Sequence, residues 1–133
     1  MVVRETKIQD RVWYCGYVSI PPTHPLYGKN HGEIDQVINV YGGVTFSCNA
    51  FDDEEIIEGD VWEKDGYIVT TLVLSPSPKE FKIPSGWWTI GFDTAHYNIN
   101  DITGNDKKVE KEFAIYETIK LKSELELLWK KQF

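Results

Sequence analysis

From about Val109 to Lys131 the chain contains neither glycine nor proline and is rich in Glu, Lys and Leu. Such a run has high helix propensity and nothing to interrupt it, so it predicts a C-terminal α-helix. Val109, Phe113 and Tyr116 fall on one apolar face, and Leu121, Leu125 and Leu128 on another. The two stripes do not join in one register, so a kink or break is expected near Lys120. Leu121, Leu125, Leu128 and Trp129 either pack inward or form an interface between copies of the chain.

The rest reads as strands and turns. "VWYCGYVSI", residues 12–20, is β-rich and bounded by charge before and Pro21-Pro22 after, which predicts a strand. "PPTHPLYGKNHGEID" is expected to be a loop, because its prolines and glycines oppose regular structure. Residues 36–48 predict a strand, a reversal or bulge at Gly42-Gly43, and a second strand. "VWEKDGYIVTTLVL" predicts a hairpin turning at Lys64-Asp65-Gly66, and "SPSPKEFKIPSG" a loop that ends it. Residues 87–93 predict another strand, and "HYNINDITGNDKK" a polar loop. The acidic stretch 51–60 is read as a short helical turn or an exposed loop. Together these give an α+β fold: a curled, mainly antiparallel sheet with a C-terminal α-helix, in a single domain over residues 1–133.

Charge limits the partners. The net charge is −7, with an acidic body over residues 1–106 and a mildly basic tail. A duplex nucleic acid partner is not expected, since binding it needs a basic face that releases counterions. No run has the length of a membrane span, so no membrane partner is expected either. Cys15 and Cys48 are the only cysteines and no signal peptide opens the sequence, so a cytoplasmic protein with reduced thiols is expected. No metal-binding spacing occurs, so neither a metal nor a cofactor is expected. The tryptophans, tyrosines and phenylalanines are many for this length; they suit both a core and a pocket that stacks flat ligands.

Three polar clusters are candidates for chemistry. "PPTHPLYGK" presents His24, Tyr27 and Lys29 on a proline-stiffened loop, as a proton donor, an aromatic and an anion contact. "YGGVTFS" combines Tyr41 with Gly42 and Gly43, whose exposed N–H groups can form an anion nest. Alternation there would place Val44 and Phe46 on one face and Thr45 and Ser47 on the other. In "GWWTIGFDTAH", Trp88, Ile90 and Phe92 belong in the core, while Trp87, Thr89, Gly91 and Asp93 share the other face and could line a pocket. Asp93 can orient His96, or it can cap the following turn.

In combination, "GYVSIPPTHPLYGK", "VYGGVTFS" and "WWTIGFDTAH" resemble a family of small phage and prophage proteins. That family shows Pro-x-x-His-Pro-x-Tyr-Gly-Lys, then His-Gly-Gly-[Leu/Ile]-Thr-[Tyr/Phe]-Ser, then Trp-x-x-Gly-Phe-Asp-x-Ala-His. The resemblance implies an anti-defence role: sequestering or cleaving a nucleotide second messenger of the host's immunity. It points to His24, Tyr27, Lys29, Gly42, Gly43, Thr45, Ser47, Asp93 and His96. Tyr41 stands where the family has His, and Thr94 where Cys is common. A tyrosine near pKa 10 replaces a histidine acid/base poorly, so binding is expected over catalysis.

The expected function is therefore binding of a nucleotide-derived small molecule, with Tyr41 and Trp87 stacking on the base and Gly42-Gly43 and Lys29 holding phosphate. No catalytic residue is assigned. Two other readings stand beside it: a phosphodiesterase using His96 and His24, and an inhibitor binding a host protein through the acidic run at 52–60. A homo-oligomer fits the first of the three, with a pocket built between copies.

Overall fold

The computed structural model describes residues 1–49, 55–57, 61–64, 67–73, 80–82, 85–96 and 98–131. β1 (Val2–Ile8) and β2 (Arg11–Ile20) form a hairpin whose two-residue turn places Gln9 at φ 53°. A left-handed residue is what such a tight turn demands. After the turns of residues 22–28 comes a short helix, α1 (His31–Asp35). Next follow β3 (Phe46–Cys48), β4 (Glu55–Ile57), β5 (Val61–Lys64), β6 (Tyr67–Val73), β7 (Glu80–Lys82) and β8 (Trp88–Asp93). A second short helix, α2 (Ile99–Thr103), precedes the long α3 (Lys107–Lys131).

Six strands make one sheet in the order β3-β8-β2-β1-β6-β5, every pair antiparallel, and β4 pairs with β7. The sheet is open, with β3 and β5 at its edges. The fold is α+β, as expected, with α3 lying across β2 and β1. Alternation along β2 turns Tyr14, Val18 and Ile20 toward the helix. Val18 and Ile20 meet Ile90 and Phe92 of β8, Leu121 and Leu125 of α3, and Ile34, Ile38, Val40 and Val44 from α1 and the segment after it, while Tyr14 packs with Val3 and Ala114 in a second cluster. Burial of each large side chain contributes roughly 1.5–3 kcal/mol. Gly16 lets the helix approach the sheet: a Cβ there would stand 2.1 Å from Thr118 Oγ1. Among the described residues, no helix is long and apolar enough to cross a membrane.

Several expectations change. α3 is unbroken through Lys120. Its buried face is a single stripe of Glu110, Ala114, Glu117, Thr118, Leu121 and Leu125, while Tyr116 is 62 % exposed. The apparent change of register arose from assuming that buried positions are apolar. Residues 36–40 form no strand; they leave α1 through a turn and lay Ile38 and Val40 in the core.

The supposed loops at 31–35 and 99–103 hold α1 and α2. Asn30 caps α1 through a box in which Glu33 N–H donates to its side chain at 2.9 Å. Gly104, at φ 65°, closes α2. The charged residues 2–8 form a central strand, because partners on both sides complete its hydrogen bonds. The expected hairpin is present, with Lys64 opposite Tyr67, and its turn residues 65 and 66 lie outside the described residues. Of the acidic run, residues 55–57 form β4; residues 51–54 and 58–60 lie outside the described residues.

Candidate functional site

Gly91 and Thr89, expected to line a pocket, are packed instead. Thr89 is fully buried with its hydroxyl 2.9 Å from that of Ser19. Gly91 lies under the ring of Tyr17, where a Cβ would be 2.7 Å from the ring, and the same ring meets Phe46 edge-on. Trp87 precedes the strand. Val44 and Phe46 do not share a face: Val44 joins the helix-side core, and Phe46 pairs with Gly91 on the far side of the sheet. β3 begins only at Phe46, so strand alternation does not reach back to Val44.

The end of β8 gathers one group of the predicted residues. Asp93 Oδ1 accepts the N–H of Ala95 at 2.9 Å and lies 3.5 Å from His96 Nε2; its Oδ2 accepts the Thr45 hydroxyl at 3.1 Å. Asp93 thus caps the turn and stands beside the imidazole without a hydrogen bond to it. Tyr41 packs edge-on against His96, with ring centres 5.2 Å apart, and against Phe113 at 5.3 Å, while its hydroxyl donates to Asn98 Oδ1. Gly42 makes this packing feasible: at φ 69°, a Cβ on it would stand 2.1 Å from His96 Nε2. That nitrogen is covered and has no hydrogen-bond partner among the described residues. The imidazole as a whole is partly exposed.

The other predicted residues lie elsewhere. His24 is buried, 4 % exposed; its Nδ1 accepts from Leu26 N–H at 3.1 Å, so Nε2 carries the hydrogen that donates to Leu125 O at 2.7 Å. With both nitrogens engaged, His24 fastens its loop to α3. Glu117 of the same helix accepts the Tyr41 N–H, and Leu125 is eight residues beyond it, so His24 sits about 12 Å further along the helix than Tyr41's anchor. His24 and Trp87 border a separate apolar hollow of about 180 Å³ with Leu125 and Trp129.

Tyr27 rests against Trp88, and the Lys29 carbonyl accepts both the Ser47 hydroxyl and Trp88 Nε1–H at 3.0 Å. The Lys29 ammonium faces Glu33 at 3.9 Å. Gly43 N–H donates to Val40 O, and Asp35 Oδ1 takes the next amide, that of Val44, so these amides form no open nest. The structure therefore unites Tyr41, Gly42, Thr45, Asp93 and His96, and leaves His24, Tyr27, Lys29, Gly43, Ser47 and Trp87 outside that group.

His96 opens onto a cleft of about 370 Å³ between the β1–β2 turn, α2 and the start of α3. Sequence reasoning did not anticipate its other walls: Asp10, Arg11 and Trp13 from the hairpin, Asn100 and Asn105 from around α2, and Lys107 and Glu110 from α3. The Arg11 guanidinium lies 5.7 Å from the centre of the Trp13 ring, and Tyr67 meets that ring edge-on at 6.0 Å. Lys107 Nζ is held by Glu110 Oε1 at 2.9 Å and Val12 O at 3.0 Å. Glu110 Oε2 accepts the hydroxyl of Thr94, which itself accepts Tyr14 N–H at 3.0 Å. Thr94 is thus a buried strut between sheet and helix.

Among the described residues no group of histidine, cysteine and carboxylate side chains is arranged to hold a metal ion. Compared with protein-family models, curated proteins and solved structures, the chain matches none.

Proposed function

We propose that the chain binds a nucleotide-derived small molecule in the His96 cleft and holds it without turnover. The observation that carries this reading is the combination at one cleft of an aromatic ring (Trp13), a guanidinium (Arg11), amides (Asn100, Asn105) and an imidazole (His96). These groups suit, in turn, a nucleobase face, a phosphate, a base edge and a sugar or phosphate oxygen. The volume lies within the roughly 300–1,000 Å³ typical of small-molecule sites. Stacking passes in this reading from Tyr41 and Trp87 to Trp13, because Tyr41 is packed between His96 and Phe113. The resemblance of the motifs to phage proteins extends the proposal to a biological role: removal of a host immune second messenger inside the infected cell.

The test is to incubate pure protein with candidate nucleotides, remove free ligand, denature by heat and identify what is released. Intact nucleotide is expected, in a fixed ratio to protein, and native mass spectrometry would give bound mass and subunit number together. Absence of retention for every candidate overturns the reading.

A hydrolytic reading is favoured by one observation: His96 lines the cleft with the Asp93 carboxylate 3.5 Å from its Nε2, the pairing of a general base with a carboxylate. Multiple turnover that His96→Ala abolishes would establish it in place of sequestration.

A further inference from the structure

Charge and size at the cleft narrow its ligand. Two acids, Asp10 and Glu110, and two bases, Arg11 and Lys107, line it, so the fixed charges of these four cancel. Lys107 is committed to Glu110 at 2.9 Å and to the Val12 carbonyl, so recruiting it would uncover the buried Glu110 carboxylate, 1 % exposed. Stripping a partner from a buried charge is costly. Arg11 is exposed at the hairpin turn and engaged only with the Trp13 ring among the described residues, so it is the cation a ligand recruits without breaking an ion pair. Beyond the cleft the protein carries −7, which adds a field opposed to further negative charge. The cleft's 370 Å³ is near the low end for ligand sites and has room for one base–sugar–phosphate unit.

On the basis of the nucleotide reading above, we infer that the ligand is a singly charged mononucleotide, of the cyclic phosphodiester class, and not a dinucleotide or a pyrophosphate. A cyclic phosphodiester keeps one negative charge at neutral pH. That charge meets Arg11, while the base lies against Trp13. An open monophosphate brings nearly two charges, and a diphosphate more, against a single available guanidinium and the charge of Asp10, unpaired among the described residues; Glu110 and Lys107 neutralise each other.

The experiment is equilibrium dialysis of the full chain against 3′,5′-cyclic mononucleotides, the matching 5′-monophosphates and diphosphates, and cyclic dinucleotides. A cyclic mononucleotide is expected to bind at least about tenfold more tightly than the open monophosphate of the same base, from one unmatched charge at close range. Arg11→Ala should weaken the cyclic ligand by about tenfold or more. Asp10→Asn, at an exposed turn, should narrow the gap between cyclic and open forms by roughly three- to tenfold. Equal or tighter binding of the open, diphosphate or dinucleotide forms overturns the inference and leaves the nucleotide reading intact. An unchanged gap in Asp10→Asn overturns it as well. Binding of none of these ligands overturns both.

Discussion

Glu117, buried in the middle of α3, accepts the backbone N–H of Tyr41 at 2.8 Å and so ties the loop before Gly42 to the helix. Glu110 and Glu124 lie seven residues to either side, two helical turns away on the same face. Glu110 reaches Thr94 and Glu124 reaches the Asn39 amide at 3.4 Å. Carboxylates spaced by seven therefore fix the two segments that meet at His96. Glu117→Ala leaves the Tyr41 N–H without its acceptor and should cost about 1–3 kcal/mol in urea unfolding. Glu117→Gln keeps an acceptor and loses the ion pair with Lys120, and should cost less. Equal losses in the two variants would show that the Tyr41 bond is not the source.

Gly42 and Gly28 separate two costs of a side chain. Both have positive φ, at 69° and 75°, but a Cβ at Gly28 meets nothing within 4 Å, whereas one at Gly42 meets His96 Nε2 at 2.1 Å. Gly28→Ala should lose about 1 kcal/mol from backbone strain alone. Gly42→Ala should lose more, and should shift the His96 imidazole resonances in the NMR spectrum, which Gly28→Ala should leave in place. The same His96 shifts in both variants would contradict the contact.

What the sequence disclosed depended on where stability is local. The hairpin at 61–73 and the end of β8 follow from alternation and turn residues, which act over a few neighbours. The grouping of Asp93 with His96 was likewise legible, because a strand end and a three-residue spacing suffice. β1 was not legible: Arg4, Glu5 and Lys7 blur its pattern, and only pairing with β2 and β6 makes it a strand. The buried stripe of α3 was misread because Glu110, Glu117 and Thr118 are buried through partners distant in sequence or through the helix itself. The cleft was invisible for the same reason. Trp13 and Lys107 are far apart in the chain, and the Lys107 bond to the Val12 carbonyl exists only once α3 docks on the hairpin.

Alkaline pH should destabilise the fold. Burial pushes the Cys15 thiol up from 9.0 to about 11, and burial likewise raises the Tyr14 and Tyr17 phenols, Tyr14 further through its bond to Glu5. Each group is neutral when protonated, so the unfolded chain releases its protons first as pH rises. Stability is then complete below about pH 9 and falls from there upward. The urea midpoint should be lower at about pH 10.5 than at about pH 8, and Cys15→Ala should recover part of the difference. A midpoint that holds steady across this range would contradict the burial of these groups.

His24 and His96 should separate structure from binding. His24 uses both ring nitrogens to join its loop to α3, and it faces neither Asp93 nor the cleft. His24→Ala strands the Leu26 N–H and removes the donor to Leu125 O, so a loss of about 1–3 kcal/mol is expected. Nucleotide retention by the folded fraction should be unchanged. His96 lines the cleft and has no hydrogen bond at Nε2 among the described residues. His96→Ala should therefore cost less stability and abolish most of the retention. Measuring thermal midpoint and bound nucleotide on both variants, well below their midpoints, tests the assignment. Loss of retention in His24→Ala with normal retention in His96→Ala would move the binding site to the apolar hollow beside Trp129.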